Sequence, residues 1–397
     1  MNRSLTFGLF FLAVFLQAGA YGLTFMLPRL FQAFGANEKT VGVMLFITTI
    51  STLITVYYSG HFSDRFGRVR MLGIACIAIA IALASYGFAN GVGPLLIEAS
   101  ILLGFGWGLT YSLAPIVLTR LVAADQRVRF FAILSVAVMA GFGLSPVLAS
   151  VLEKAGFAVS DAFFVTAALC GLAALLFFLL VKPVRSHALQ AGPENRSSLS
   201  FGAVTRIFSS PARLPVIMVC IGASVFAGMN NFQTVFADAR GLDYAHYFLI
   251  YTLTVVIFRI VLARFKGGKN PYLIIALLQY VMFGSVMLFL MIGGNISLYW
   301  AVAFLFGIGY GVSYPVLAAM AAGDADEELL AQTLQVFALT YFIGIFGFPM
   351  IAGWLIVEMG SPALLVLVAI LAGVEATMAL MRAMAVRARQ AGSSATT

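Results

Sequence analysis

Gly104-Phe-Gly106-Trp-Gly108-Leu-Thr-Tyr111 returns as Gly307-Ile-Gly309-Tyr-Gly311-Val-Ser-Tyr314, and the surrounding residues keep the same 203-residue offset. Gly141 and Pro146 come back as Gly344 and Pro349 at that spacing. A repeat of half the chain length in 397 residues predicts two copies of one unit, laid down in the same direction.

Hydrophobic residues make up 62% of the chain and charged residues 10%. A water-soluble domain wraps its core in polar surface and does not have this composition. A membrane-spanning helix needs roughly 20 apolar residues. Twelve such runs are read at 5–28, 40–59, 71–90, 94–119, 128–152, 161–181, 214–236, 246–264, 271–292, 296–321, 329–355 and 361–381. With the N-terminus cytoplasmic, only Arg29, Lys39, Lys154 and Arg240 of the 23 Lys and Arg fall on the outer side. That bias places both termini in the cytoplasm and accounts for the net charge of +8 without nucleic-acid binding. Arg3, the first apolar run and Ala18-Gly-Ala20 imitate a signal peptide, but the run continues through Leu27, so the segment is expected to stay as a span. Cys76, Cys170 and Cys220 sit singly in apolar runs, with neither disulfide nor metal-site spacing.

The expected fold is all-α and integral to the membrane. Residues 1–181 form an N-terminal six-helix bundle, 182–212 a cytoplasmic linker, 213–381 a C-terminal six-helix bundle, and 382–397 a basic tail, disordered beyond Gln390. Leu199 to Phe208 reads equally as a short amphipathic helix or a loop. The third, sixth and twelfth runs are almost purely apolar and are expected to face lipid. The first, fourth, seventh and tenth carry Gln17, Tyr21, Trp107, Tyr111, Asn230, Asn231, Gln233, Tyr310 and Tyr314. Polar groups inside a bilayer face protein or water, so these helices are expected to line a central cavity. The ninth run, with Gln279 and Tyr280, departs from the pattern.

Gly60-His-Phe-Ser-Asp64-Arg65-Phe-Gly67-Arg68-Val-Arg70 lies in the loop after the second run. It closely resembles the major facilitator superfamily signature G-x-L-x-D-R-x-G-R-K, with Phe62 for leucine and the last basic residue shifted to Arg70. The resemblance covers the whole chain, since helix number, half-length repeat and central linker agree. It implies two pseudo-symmetric six-helix bundles that carry a small organic solute by alternating access, as a monomer in a bacterial cytoplasmic (inner) membrane, without a cofactor or metal. In this family the motif latches the cytoplasmic side against the eleventh helix. Gly60 would allow close approach, and Asp64, Arg65, Gly67 and Arg68, with Arg70, would face the acidic segment Asp324, Asp326, Glu327 and Glu328. That segment could equally cap the eleventh helix. The second copy of the motif has decayed to Ala263-Arg264-Phe-Lys266-Gly267-Gly268-Lys269, with Asp125 as its mate.

Gly141-Phe-Gly143-Leu-Ser145-Pro146 resembles the superfamily's antiporter motif, and Gly344 to Pro349 is a similar copy. Small residues with proline predict close, kinked packing between the halves and tilt the reading toward efflux. Ser100 stands where proton-linked drug exporters usually have an arginine, which sets their usual coupling device in doubt. The segment from Phe236 to Asp243 resembles the sugar or arabinose exporter branch, whose relatives include carriers of siderophores.

Glu98 and Arg259 are the candidate proton or charge sites, against interfacial wetting for the first and snorkelling for the second. Glu375, in the twelfth run, reads as a packing or pairing residue. Amides and rings in the cavity suit a neutral or amphipathic molecule. Proton-coupled export is the expected activity, and uptake of a metallophore or metabolite is the alternative. An intramembrane enzyme would need a clustered nucleophile and base, whereas His61, His187 and His246 lie in loops or at helix ends. A non-transporting sensor is the third class.

Overall fold

The computed structural model describes residues 2–123, 126–187, 200–262 and 270–394. Among the described residues all regular structure is helical, and twelve helices are long and apolar enough to cross a bilayer. In chain order, spans 1 to 6 are Arg3–Gln32, Glu38–Phe66, Arg68–Phe88, Pro94–Leu121, Arg129–Lys154 and Val159–His187. Spans 7 to 12 are Arg213–Asn231, Tyr244–Val261, Tyr272–Met291, Ile296–Gly323, Glu327–Met359 and Ser361–Ala388. The loops after even-numbered spans carry the arginine-rich motif and form the basic face. Those after odd-numbered spans form the opposite face.

Helix ends follow local chemistry. The side chains of Asn2, Asn37 and Asn295 accept from backbone N–H groups of the turns they cap, and Pro94 opens span 4. Gly67 ends span 2 at φ 86°, a conformation residues with a Cβ avoid, which explains the motif's second glycine. Spans 1 and 7 are both broken near the opposite face: the first by a tight turn at Leu23–Met26, the seventh at Phe232 before a short helix Gln233–Asp238. Span 11 widens into a π-turn at Ile343–Gly347, just ahead of Pro349, which has no N–H to offer the ladder.

Two expectations are corrected, and a third, open between helix and loop, takes the helix. Span 6 continues through His187 into the region assigned to the linker. The last helix continues to Ser394 rather than fraying after Gln390, because residues 382–391 are mostly strong helix formers such as Ala, Arg, Met and Gln. Part of the linker, Phe201–Ser209, is an amphipathic helix with Ala203 and Ile207 buried. The decayed motif at 263–269 and its mate Asp125 lie outside the described residues.

Packing repeats with the sequence. Gly104 and Gly108 press on span 2, and their mates Gly307 and Gly311 press on span 8. Gly106 abuts span 3 at Ala75, and Gly309 abuts span 9 at Met282. Gly141 lies on the backbone of Phe15 in span 1, and Gly344 on that of Cys220 in span 7. A Cβ at any of these sites except Gly108 would come closer than 3.0 Å to a neighbour, and at Gly108 it would meet Thr55 at 3.0 Å, so glycine sets the helix separation. Gly141 and Gly344 therefore pack inside their own halves, not between halves as expected. The cross-half contacts use their neighbours: Gly143 on Thr252, Gly42 on the carbonyl of Pro349, and Gly353 on that of Glu38.

Spans 7 and 1 are the most enclosed, with 78% and 67% buried against 39% for spans 6 and 9, so the first two form the centre. The misfit of the ninth span resolves within the C-terminal half. Gln279 donates to the Glu375 carboxyl at 2.7 Å, both are fully buried, and Gly222 leaves the space the carboxyl fills.

The opposite face is closed by charge. Arg29 bridges Glu153, at 2.9 Å, and Asp238, and lies 4.9 Å over the Tyr244 ring. The Tyr244 hydroxyl donates to Glu153, Lys39 pairs with Glu358, and Lys154 pairs with Asp243. Except for Arg29 with Glu153, each contact joins one half to the other. Three of the four cations that break the charge bias thus tie the halves together, while Arg240 lies over Phe289.

Two expectations follow. Burial would raise the Asp243 carboxyl, but the hydrogen bond from Lys154, the Ala245 N–H and the Lys154 charge outweigh it and hold it below the usual range. A carboxyl so lowered stabilises closure above its ordinary value, and the contribution is lost as pH falls through the lowered one. Spin labels at Ala33 and Ala239 should keep their separation from neutral pH to about pH 5 and move apart below about pH 4. Asp243→Asn should already widen the distribution at neutral pH; constant distances throughout would contradict the assignment. In the C-terminal half, Glu375→Gln should leave the detergent melting temperature nearly unchanged. Glu375→Ala should destabilise by about 1–3 kcal/mol through the orphaned Gln279 amide, and equal effects of the two variants would refute that pairing.

Candidate functional site

The central residues come from the two repeated glycine runs and the two broken helices. One turn separates Gln17 from Tyr21 on span 1, and both are buried beside span 4. The Tyr21 ring stacks on Trp107 at 4.7 Å and meets Phe142 of span 5 at 4.4 Å. It also reaches Phe346 of the other half at 5.4 Å. On the C-terminal side Phe226 stacks on Tyr310 at 4.6 Å, and Phe25 of span 1 reaches across to Phe226. The centre is therefore an aromatic cluster shared by both halves.

Tyr111 and Tyr314, repeat mates, are hydrogen-bonded through their hydroxyls. Tyr341 stacks on Tyr111 at 5.8 Å and packs on Tyr314 at 5.0 Å. Half-buried Tyr111 and Tyr314 lie one turn nearer the basic face than Trp107 and Tyr310, and with buried Tyr341 they separate the cluster from that face.

Many polar atoms here have no protein partner. Buried and unpaired are Gln17 Nε2, Tyr21 Oη, Trp107 Nε1, Asn230 Oδ1, Asn231 Oδ1 and Tyr251 Oη. Asn230 and Asn231 each spend their amide N–H on the carbonyl four residues earlier, at 2.9 and 3.1 Å, leaving the oxygens. Native proteins rarely tolerate such a concentration, since each orphan costs about 1–3 kcal/mol. Groups of this kind gathered between two halves form a set of donors and acceptors for a solute or for water. Gln233 is set apart: it donates to the Tyr299 hydroxyl at 2.7 Å within the C-terminal half.

The charge candidates separate. Glu98 is exposed on span 4 beside exposed Leu95 and Ile97, on a face turned from the cluster. The chain places it there because the polar side of span 4 carries Trp107 and Tyr111 on another face. Arg259 is buried; its Nε donates to the Gly311 carbonyl at 2.8 Å and its Nη1 to Ser135 of span 5. Ser100, in place of the exporters' arginine, is buried and bonded to Tyr86 and to the Leu96 carbonyl.

The acidic segment expected in the latch has the following partners. Asp324 and Asp326 pair with Arg382 and Arg206 at 3.8 Å, Glu328 with Arg206 at 3.7 Å, and Tyr272 donates to Asp324. Asp64, Gly67, Arg68 and Arg70 line a cavity of about 670 Å³ within the N-terminal half, beside Arg120 and Arg185. Arg65 lies over the neighbouring Phe66 ring. Glu327 opens the first turn of span 11, the capping alternative. Gly60 faces open space and brings no neighbour close, because the halves meet toward the opposite face here. Sequence reasoning missed the opposite-face ion pairs and the Tyr341–Phe342–Phe346 ring series of span 11. The four outlying cations were the available signal for the first.

Comparison with known proteins agrees with this architecture. A family model for the Major Facilitator Superfamily matches residues 9–349. A probable 4-methylmuconolactone transporter of Cupriavidus pinatubonensis (strain JMP 134 / LMG 1197) is 29% identical over 129 residues. The match spans 32% of this chain and 30% of that relative, so under a third of the relative's length is covered. A crystal structure of the nucleoside transporter NupG superposes with a TM-score of 0.72 at 15% identity, covering 97% of this chain and 100% of the other. The human organic anion transporter MFSD10 (TETRAN) gives 0.66 at 14% identity, with 96% and 100% covered. The chain belongs to the Major Facilitator Superfamily, and twelve of its described helices are long and apolar enough to span a membrane.

Proposed function

We propose that this carrier moves a small, flat organic solute through the aromatic centre by alternating access, driven by a proton gradient in the direction of export. The observation that carries the reading is the set of orphaned polar atoms on Gln17, Tyr21, Trp107, Asn230 and Asn231 among stacked rings from both halves. Such a site offers hydrogen bonds that a solute completes and π-faces that hold its body. Glycine-set contacts make each half stiff, whereas the seam between halves at the opposite face joins a few glycine contacts, such as Gly353 on Glu38, to partly exposed ion pairs each worth about 0–1 kcal/mol. The seam is the part that yields, and rocking of one half on the other exposes the centre to each face in turn. The basic face is cytoplasmic by the charge bias, and the membrane is the bacterial inner membrane.

Two states explain the two charge arrangements. With the opposite face sealed, the acidic segment is held by Arg206 and Arg382. With that face open, the basic ends close together, and Asp64, Arg65 and Arg68 meet the acidic segment before span 11. Export is favoured over uptake by the proline-linked small-residue runs at Gly141–Pro146 and Gly344–Pro349. The relative named for 4-methylmuconolactone makes a compact organic solute the first to test.

The direct test is purified protein in liposomes with an imposed proton gradient and a panel of flat organic solutes. Gradient-dependent movement of a solute supports the reading; turnover of a solute without any gradient supports an enzyme instead. Asn230→Ala and Gln17→Ala should weaken apparent affinity by about five- to tenfold, the scale of one neutral hydrogen bond, with little change in melting temperature. Unchanged affinity in both variants would move the site elsewhere. Asp64→Asn should shift the spin-label population toward the sealed state described above, and an unaltered population would remove the latch.

A further inference from the structure

We infer that Arg259 anchors a carboxylate on the transported solute, so that the carrier's substrates are small organic anions with a flat apolar body. The inference rests on the aromatic centre being the transport site.

A guanidinium inside a membrane protein is costly unless something compensates its charge. Arg259 is 7% exposed, and among the described residues no carboxylate pairs with it. Its orientation is nonetheless set. Nε–H is held by the Gly311 carbonyl in its own half, and Nη1–H by Ser135 across the seam. A guanidinium has five N–H donors in a planar fork, and among the described residues the Nη2 edge makes no hydrogen bond to protein. That is the arrangement suited to receiving a carboxylate side-on.

The surroundings match the rest of such a molecule. Tyr251, Tyr310, Tyr314 and Tyr341 lie within electrostatic reach of the guanidinium, and the Tyr251 hydroxyl has no partner. Ring faces and one spare hydroxyl are what a flat acid would meet after its carboxylate is bound.

The duplication argues against a scaffold role. The 203-residue offset holds locally, since Gly104 abuts Thr48 and Gly307 abuts Tyr251. By that offset the mate of Arg259 is Val56, an apolar side chain 6% exposed at the matching place in span 2. The N-terminal half packs there with no charge. Arg259 is therefore an addition to the common framework, placed where the two halves meet and where a bound solute would touch both.

The test needs no knowledge of the natural solute. With Trp300→Phe and Trp354→Phe, both at exposed positions, Trp107 remains the sole indole. Aromatic carboxylates, each paired with its own amide (benzoate with benzamide, phenylacetate with phenylacetamide), are titrated while Trp107 emission and melting temperature are followed. Carboxylates should bind more tightly than their amides. Arg259→Gln should weaken the carboxylates by at least about thirtyfold, the low end for removing one partner of a buried, hydrogen-bonded charge pair, and leave the amides unchanged. Arg259→Lys, which keeps the charge without the fork, should fall between. If no carboxylate exceeds its amide, or if Arg259→Gln weakens both alike, the anion assignment is wrong while the centre stands as the site. If solutes raise the melting temperature without altering Trp107 emission, the central site itself is refuted.

Discussion

Backbone-to-backbone contact at the repeated glycines is the constraint from which the rest follows. Within each half the tenth or fourth span lies so close to its neighbours that a Cβ would clash at Gly104, Gly106 and at Gly307, Gly309 and Gly311. In an apolar solvent there is no hydrophobic force to drive helices together, so close packing and a few interhelical hydrogen bonds supply the cohesion. Thr48 and Thr52 add such bonds to the carbonyls of Ser100 and Gly104. Each half becomes a unit that moves without deforming.

The seam between units is built on a different principle. At the opposite face it is made of ion pairs with side chains up to 65% exposed, individually weak and replaceable by water. At mid-depth it is made of ring contacts such as Tyr21 with Phe346, and of the Tyr111–Tyr314 hydroxyl pair. These contacts are closed here, together with three close glycine contacts across the seam, Gly42 on Pro349, Gly143 on Thr252 and Gly353 on Glu38. Rigid halves and a yielding seam are the physical requirements of alternating access. The orphaned amides and hydroxyls lie along that seam, where a solute bound to both halves influences which arrangement is stable.

Much of this was legible in the residues themselves. The half-length repeat foretold that Tyr111 and Tyr314 would face each other, because mates in a duplicated chain lie on opposite sides of one axis. Apolar runs located all twelve spans, with ends within seven residues of those found, since span length is set by bilayer thickness. Pairings between distant charges were not legible. Arg29 and Asp238 are 209 residues apart, and nothing local marks them as partners. The acidic segment before span 11 was assigned to the motif arginines, yet here it holds Arg206 and Arg382. In the proposed cycle one set of charges serves more than one arrangement, and a sequence carries no mark of which is formed. Gln279 and Glu375 each stood out as polar groups in apolar runs, but only the fold brings them to one bond.

The central claim is that two stiff halves exchange a closed seam at one face for a closed seam at the other. Electron–electron resonance distances measured at two positions test it most directly: Ala33 with Ala239 at the opposite face, and Phe66 with Leu330 at the basic face. The account predicts opposed changes as pH or a bound solute shifts the population, the first pair lengthening whenever the second shortens. Distances within one half, such as Phe66 to Phe88, should stay constant. Both cross-half pairs lengthening together, or neither moving while solute is transported, would contradict it.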